Sequence, residues 1–307
     1  MMWWRCVCLV LLCALSGCSE EESAVRVDMN RVETLTPPRI AKAVTYAYLP
    51  QYSHAVSFER HRRILEYLRQ KTGLSFRQVF PDTFAEHIKM VERGEIDISF
   101  TNPFVYITLA RLGSTAFARA VEPDGGPDFL GQVIVRKDNP SITSIQDCRG
   151  KRLIAVDPGS AGGYLYPMGL FLDHGITAAD FQDIVFASGS GGKQEAVVLA
   201  VYAGAFDVGT VRKGTLDVVH DKIDVDQIRV LAETKPYPGW VYSARKDLDQ
   251  ALVFKISRAL FDLEVSRRVD AEILRAAGMI DIIPARDSDY EAVRGLIHKL
   301  NLDTTTP

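Results

Sequence analysis

The stretch Leu153 to Pro167 (LIAVDPGSAGGYLYP) limits what this chain can fold into more than any other. Leu153 to Val156 is wholly apolar, as suits a strand buried on both faces of a parallel sheet. Asp157-Pro158-Gly159 breaks that strand. Ser160-Ala161-Gly162-Gly163 follows, and helical spacing runs from Tyr164 to Leu172. The first N–H groups of a helix have no internal partner, so a strand, a tight small-residue turn and a helix start make an anion site. The competing reading is an ordinary βα turn whose Gly and Ser serve geometry alone.

The same kind of unit recurs along the chain. Strands are expected at Lys42 to Leu49, Leu74 to Phe80 and Ile96 to Thr101. Helices lie between them, over Phe58 to Lys71 and Asp82 to Arg93, and a third starts at Asn102-Pro103. Phe58, Ile64, Leu65 and Leu68 form the inward face of the first helix. Phe129 to Arg136 leads out of this series to a polar break, Lys137-Asp138-Asn139-Pro140. Strands at Leu153 to Val156, Ile184 to Ala187 and Phe206 to Val211 alternate with helices at Tyr164 to His174 and Gln194 to Tyr202. Strands at Ile228 to Glu233 and Gly239 to Arg245 flank Lys235-Pro236-Tyr237-Pro238, and the tail is helical. Alternating β and α elements predict an α/β fold of two lobes, each a mainly parallel sheet flanked by helices. Two crossings, near residues 137 and 235, join lobe 1 (39–137 with 236–307) to lobe 2 (138–235). Ligands in such folds sit at the C-terminal ends of strands, here between the lobes.

The N-terminus is set apart. Arg5 precedes an apolar run, Cys6 to Leu15, too short to span a bilayer as a helix. It reads as a signal segment, residues 1–17. Leu15-Ser16-Gly17-Cys18 resembles the lipobox of bacterial lipoproteins. That resemblance implies cleavage before Cys18 and lipidation of Cys18, which tethers the protein to a membrane outside the cytoplasm. Residues 18–38, with Glu20-Glu21-Glu22 and Pro37-Pro38, read as a tether. After cleavage only Cys148 remains as a free thiol, so no internal disulfide forms.

Further segments resemble the phosphate, phosphite and phosphonate receptors of ABC importers. Asp157-Pro158-Gly159-Ser160 with Gly163 to Pro167 is similar to that family's D-P-x-S…S-G-x-x-x-P segment. Gly94 to Phe100 resembles its G-x-x-D strand. Gly189-Ser190 with Glu195-Ala196, Ala200-Val201 and Phe206 to Gly209 resembles its G-S-H-E…A-V…D-x-G segment. Arg245-Lys246-Asp247-Leu248 resembles its R-x-D-L. The resemblance spans roughly residues 40 to 265 and implies the type II periplasmic-binding-protein fold. It also implies a small phosphorus oxyanion as ligand, with an ABC permease and ATPase as partners. Of the family's hydroxyl cluster only Ser160 remains, with Ala161 and Gly162 beside it. The family His falls at Lys193 or Gln194.

Lobe 1 then offers Tyr48, Thr101, Asn102 and, more remotely, Tyr106. Lobe 2 offers Ser160, Ala161, the Gly162 and Gly163 amides, Lys193, Gln194 and Arg212. Each has a structural alternative. Tyr48 fits a core, Asn102 fits a helix cap, Lys193 fits a solvated surface, and Arg212 fits an inter-lobe ion pair. Tyr237 and Trp240 line the cleft or brace the hinge.

Other functions find little support. A formal charge of −3 on 307 residues gives no basic surface for nucleic acid. The six histidines have no ligand spacing, so no metal or other cofactor is expected. Gly189 to Lys193 fails as a phosphate-binding P-loop, with Ala187 and Gln194 at its required Gly and Ser/Thr positions. No nucleophile set is specified, so an enzyme is not expected. The expected function is that of a monomeric, lipid-anchored, extracytoplasmic receptor for import. The alternative is a sensing module that reports ligand state to a partner such as a sensor kinase.

Overall fold

The computed structural model describes residues 43–123, 126–189 and 191–302. The expected signal, lipidated Cys18 and tether lie outside the described residues.

The chain enters through β1 (Val44–Tyr48), α1 (His54–Thr72), β2 (Phe76–Val79), α2 (Phe84–Glu92), β3 (Ile98–Thr101), α3 (Pro103–Arg111) and β4 (Thr115–Val121). It crosses through β5 (Asp128–Phe129) to a second lobe. There it forms β6 (Gly131–Arg136), β7 (Arg152–Ala155), α4 (Tyr166–Asp173), β8 (Asp183–Phe186), α5 (Lys193–Tyr202), β9 (Val208–Arg212), α6 (Thr215–Val219) and β10 (Ile228–Glu233). It returns through β11 (Tyr237–Pro238) to β12 (Val241–Ala244), α7 (Gln250–Phe261), α8 (Arg268–Ala276), β13 (Asp281–Pro284) and α9 (Glu291–Lys299).

Two sheets result, ordered β13-β4-β12-β3-β1-β2 and β10-β6-β9-β7-β8. Helices cover their faces. Alternation along the second sheet's strands feeds two cores. Val133, Val135 and Leu153 face one, packed on Phe171 of α4; Ile134 and Ile154 face the other, packed on Val197 and Val201 of α5.

The two-lobed α/β architecture is as expected, and in each lobe most strands run the same way: β1 to β4 in the first sheet and β7 to β10 in the second. β1 runs parallel to β2 and β3, and β7 to β8 and β9. β12, inserted between β3 and β4, and β13 at the edge run the other way in the first sheet, as does β6, inserted between β9 and β10, in the second. β6 and β12 are the strands that arrive from the other lobe, so no crossover within their own sheet sets their direction.

The first crossing also lies earlier than residue 137. β6 pairs with β9 and β10, so Gly131 to Arg136 belongs to the second lobe. The two crossing segments pair with each other as the ribbon β5–β11. Tyr166 of α4 packs beneath it, its ring 4.3 Å from Tyr237 and 5.3 Å from Phe129.

Helix α1 begins four residues before Phe58, where the Ser53 hydroxyl accepts from the Val56 amide. Phe58 itself is 45% exposed and packs its ring against Phe80, while Ile64, Leu65 and Leu68 are buried as expected. Cys148 is a buried free thiol whose pKa burial pushes up to about 12.

Candidate functional site: the contact between the lobes

The turn after β7 is built by local hydrogen bonds. Asp157 divides its carboxylate: Oδ1 accepts from the Gly159 amide at 2.9 Å and Oδ2 from Lys193 Nζ at 2.7 Å. Ser160 caps a π-helical turn, Ala161–Leu165, by accepting from the Gly163 amide at 3.1 Å. The Gly163 carbonyl in turn accepts from Thr210 Oγ1 at 2.7 Å. Among the described residues, the Ala161 and Gly162 amides find no acceptor.

This turn meets the first lobe at the end of β3. Asn102 Oδ1 caps α3 by accepting from Val105 N at 3.0 Å, while its Nδ2 donates to the Gly159 carbonyl at 3.1 Å. Asn102 thus caps α3 and at the same time ties that helix to the second lobe. Its neighbour Thr101 is fully buried with an Oγ1 that has no partner. Trp240, which stands next to Thr101's β12 partner Val241, has an unpartnered buried Nε1. A buried donor without a partner costs about 1–3 kcal/mol, so each calls for an explanation.

Tyr48 closes β1 inside an aromatic cluster, 4.5 Å from His61, 5.4 Å from Trp240 and 5.5 Å from Phe100. Burial raises its phenol pKa, and the Arg60 and Arg212 charges pull it back. Tyr48 therefore serves the core and faces the cations at once.

Beside this contact lies a cavity of about 440 Å³ between the lobes, bounded by Gln51, Tyr52, Arg60, Phe129, Gln194 and Arg212. Arg212 binds Glu122 at 2.5 Å and lies 5.1 Å over the Phe129 ring. Burial opposes its charge, but Glu122 offsets this and the pKa lies above the ordinary arginine value. The Gln194 Oε1 accepts from the Arg212 amide at 3.0 Å. Gly162 sits directly behind this wall: a Cβ there would stand 2.7 Å from Phe129 Cε2 and 2.8 Å from Arg212 Cβ.

Several sequence expectations change here. Lys193 is not the solvated surface lysine of the alternative reading: it is largely buried and gives one N–H to Asp157. The Gly163 amide is used by Ser160. Tyr106 points away from the lobe contact: its hydroxyl donates to Asp287 at 2.6 Å, and its ring packs 4.9 Å from Tyr290. Arg212 takes the ion-pair alternative. Tyr237 braces the hinge, whereas Trp240 packs in the aromatic cluster against Tyr48 and Phe100. The structure thus joins Asn102 to the turn that carries Ser160, Ala161 and Gly162, with Thr101 next to Asn102, Tyr48 in the aromatic cluster at the end of β1, and Arg212 and Gln194 on the cavity side. Gln51 and Arg60 were missed; no motif marks them, and only the spacing from Tyr48 and the start of α1 placed them near the strand end.

The matching family model, described as ABC transporter, phosphonate, periplasmic substrate-binding protein, spans residues 46–290. The chain belongs to this family. The phosphate-import protein PhnD of Mycolicibacterium smegmatis is 23% identical over 286 residues, covering 86% of this chain and 88% of that one. The phosphonates-binding periplasmic protein of Escherichia coli is 25% identical over 277 residues, covering 84% and 80%. A solved structure of PhnD1 from Prochlorococcus marinus in complex with methylphosphonate has a TM-score of 0.74 at 18% identity, covering 85% of this chain and 98% of that one. It shares the two-lobed type II fold.

Proposed function

We propose that this protein captures a phosphorus oxyanion, of the phosphate or phosphonate class, where the Ala161–Gly162 turn meets Thr101, and delivers it to an ABC permease. The single observation that supports this is that both lobes carry unpartnered donors on the segments that Asn102 ties together through the Gly159 carbonyl. The Thr101 hydroxyl and Trp240 indole N–H lie on one side, and two helix-start amides and the Ser160 hydroxyl proton lie on the other. An oxyanion accepts from all of them, and the helix end adds roughly 0.3–2 kcal/mol. Only a ligand touching both lobes favours the closed over the open form. The relatives named for phosphate import and phosphonate binding support the ligand class. The protein acts as a monomeric receptor without catalysis, held to the membrane by lipid on Cys18, as the Leu15–Cys18 segment implies.

Calorimetry against phosphate, phosphite, methylphosphonate, sulfate and acetate tests this. Tight binding of a phosphorus oxyanion, weakened about tenfold or more by Ser160→Ala, is expected. Binding of a neutral solute with none of these anions would sink the reading. Cys18→Ala should release the protein from membranes into the soluble fraction, and a variant that stays in the membrane fraction refutes the anchor.

A further inference from the structure

The cavity beside the lobe contact has a polar end that the oxyanion reading does not use. At about 30 Å³ per water-sized group, its volume of about 440 Å³ exceeds a one-carbon phosphonate several-fold. Its first-lobe wall carries two donors without partners: Gln51 Nε2 and Arg60 Nε are both buried and unbonded. Gln51 is more than nine-tenths buried. Arg60 is held in one pose. Its Nη2 donates to the Ala277 carbonyl at 3.1 Å, and its guanidinium lies 4.8 Å over the Tyr52 ring. Gly278, in the left-handed region at φ +76°, leaves the space this guanidinium fills; a Cβ there would collide with Nη2.

The charges around the cavity are otherwise matched. Arg212 pairs with Glu122 at 2.5 Å, Lys213 with Glu233 at 3.4 Å, Arg119 with Asp128 at 3.7 Å, and Lys222 with Glu195 at 2.7 Å. Among the described residues, Arg60 has no carboxylate partner. Asp217 also lacks one but is exposed at the rim. A half-buried cation with one buried, idle N–H, beside a buried amide with an idle N–H, matches a planar anion that accepts from both.

We propose that Gln51 and Arg60 form a second subsite for a carboxylate or similar anion borne by the same ligand, with Tyr52 as its floor. The ligand is then an organophosphonate with an anionic tail. This rests on the oxyanion reading above and names the substrate class within it. Lobe closure seals the subsite, because the Gly192 amide donates to the Gln51 carbonyl at 3.1 Å and fixes that residue only when the lobes meet.

Calorimetry with methylphosphonate, ethylphosphonate, phosphonoacetate and 2-aminoethylphosphonate tests it on the intact protein. Phosphonoacetate should bind about tenfold or more tighter than ethylphosphonate. That ratio should fall to near one in Arg60→Ala and fall partway in Gln51→Ala, with Arg60→Lys between Arg60→Ala and the native protein. Thermal unfolding of each variant checks that it folds, and Gly278→Ala, which displaces Arg60 without removing it, gives an independent arm with the same expected loss of ratio. Equal binding of ethylphosphonate and phosphonoacetate overturns the subsite while leaving the oxyanion reading intact. Tighter binding of the amine-tailed ligand overturns it too, in favour of the rim carboxylates. No binding of any phosphonate or of phosphate overturns the oxyanion reading and the subsite with it.

Discussion

Thr101 lies buried at the end of β3 with a hydroxyl that, among the described residues, has no bonding partner. Replacing it with valine keeps the shape and removes the stranded donor. Thr101→Val should therefore leave the unliganded protein as stable or slightly more so, while anion affinity falls by about tenfold. Chemical denaturation and calorimetry on the same preparation read the two effects, and unchanged affinity would take Thr101 out of the site. The buried histidines act in the opposite direction. Burial drives His87 to a pKa of about 3, and burial with the nearby Arg60 charge does the same to His61. Between about pH 6.5 and pH 3 the unfolded chain binds these protons and the folded chain does not, so stability falls as pH falls through that window. The denaturation midpoint should decline on acidification, with a shallower slope in His87→Gln; parallel slopes would count against it.

At the scale of elements, the motif residues did two kinds of work. Asp97, in the stretch that resembles the family's G-x-x-D, is no ligand. Its Oδ2 accepts from the Thr45 amide and hydroxyl at 2.9 Å, and its Oδ1 accepts from Arg245 Nε at 2.8 Å. Arg245 opens the R-x-D-L stretch, so two segments far apart in sequence meet as one clasp between β1, β3 and β12. Removing one partner of a buried pair costs on the order of 3–5 kcal/mol. Asp97→Ala should lower the melting temperature by many degrees, and a shift of a degree or two would mean that the clasp is dispensable. The strands themselves were unevenly legible. β1 (VTYAY) and β3 (ISFT) are apolar and β-branched, and both were expected. β4 (TAFARAV) escaped notice although Ala116, Ala118 and Ala120 alternate inward, because alanine has little strand preference of its own and is held there by β12 and β13. The short β13 has only its pairing with β4 to define it.

For the whole molecule, the closed arrangement depends on contacts that cross between lobes. Besides Asn102 on Gly159 and Gly192 on Gln51, Gly191 packs so closely that a Cβ would lie 2.5 Å from the Tyr52 carbonyl oxygen, at a φ of +82°. Gly191→Ala should hold the lobes apart. Small-angle scattering with saturating ligand should give a larger radius of gyration than the native complex, and affinity should drop with it. A variant as compact and as tight as the native protein would show that closure does not pass through this contact. α9 packs against α3 in the first lobe and α4 in the second, with Leu296 against Gly169 and Lys299 bound to Asp173 at 2.5 Å. The C-terminal helix thus limits the hinge from the side away from the cleft.

The sequence by itself determined the α/β order, the two series and the turn at Ser160, because strand and helix periodicity and glycine punctuation are local properties. It also placed Thr101, Asn102 and Arg212 at strand ends, where ligands of such folds gather. What only the tertiary structure decided were the pairings: which cation each carboxylate takes, which strands run antiparallel after a crossing, and which donors are left over. Lys193 reads as an unpaired cation until Asp157 reaches it, and Arg60 reads as a surface arginine until Ala277 and Tyr52 hold it at the cavity. Charge matching is set by distances in space, and spacing along the chain does not carry it.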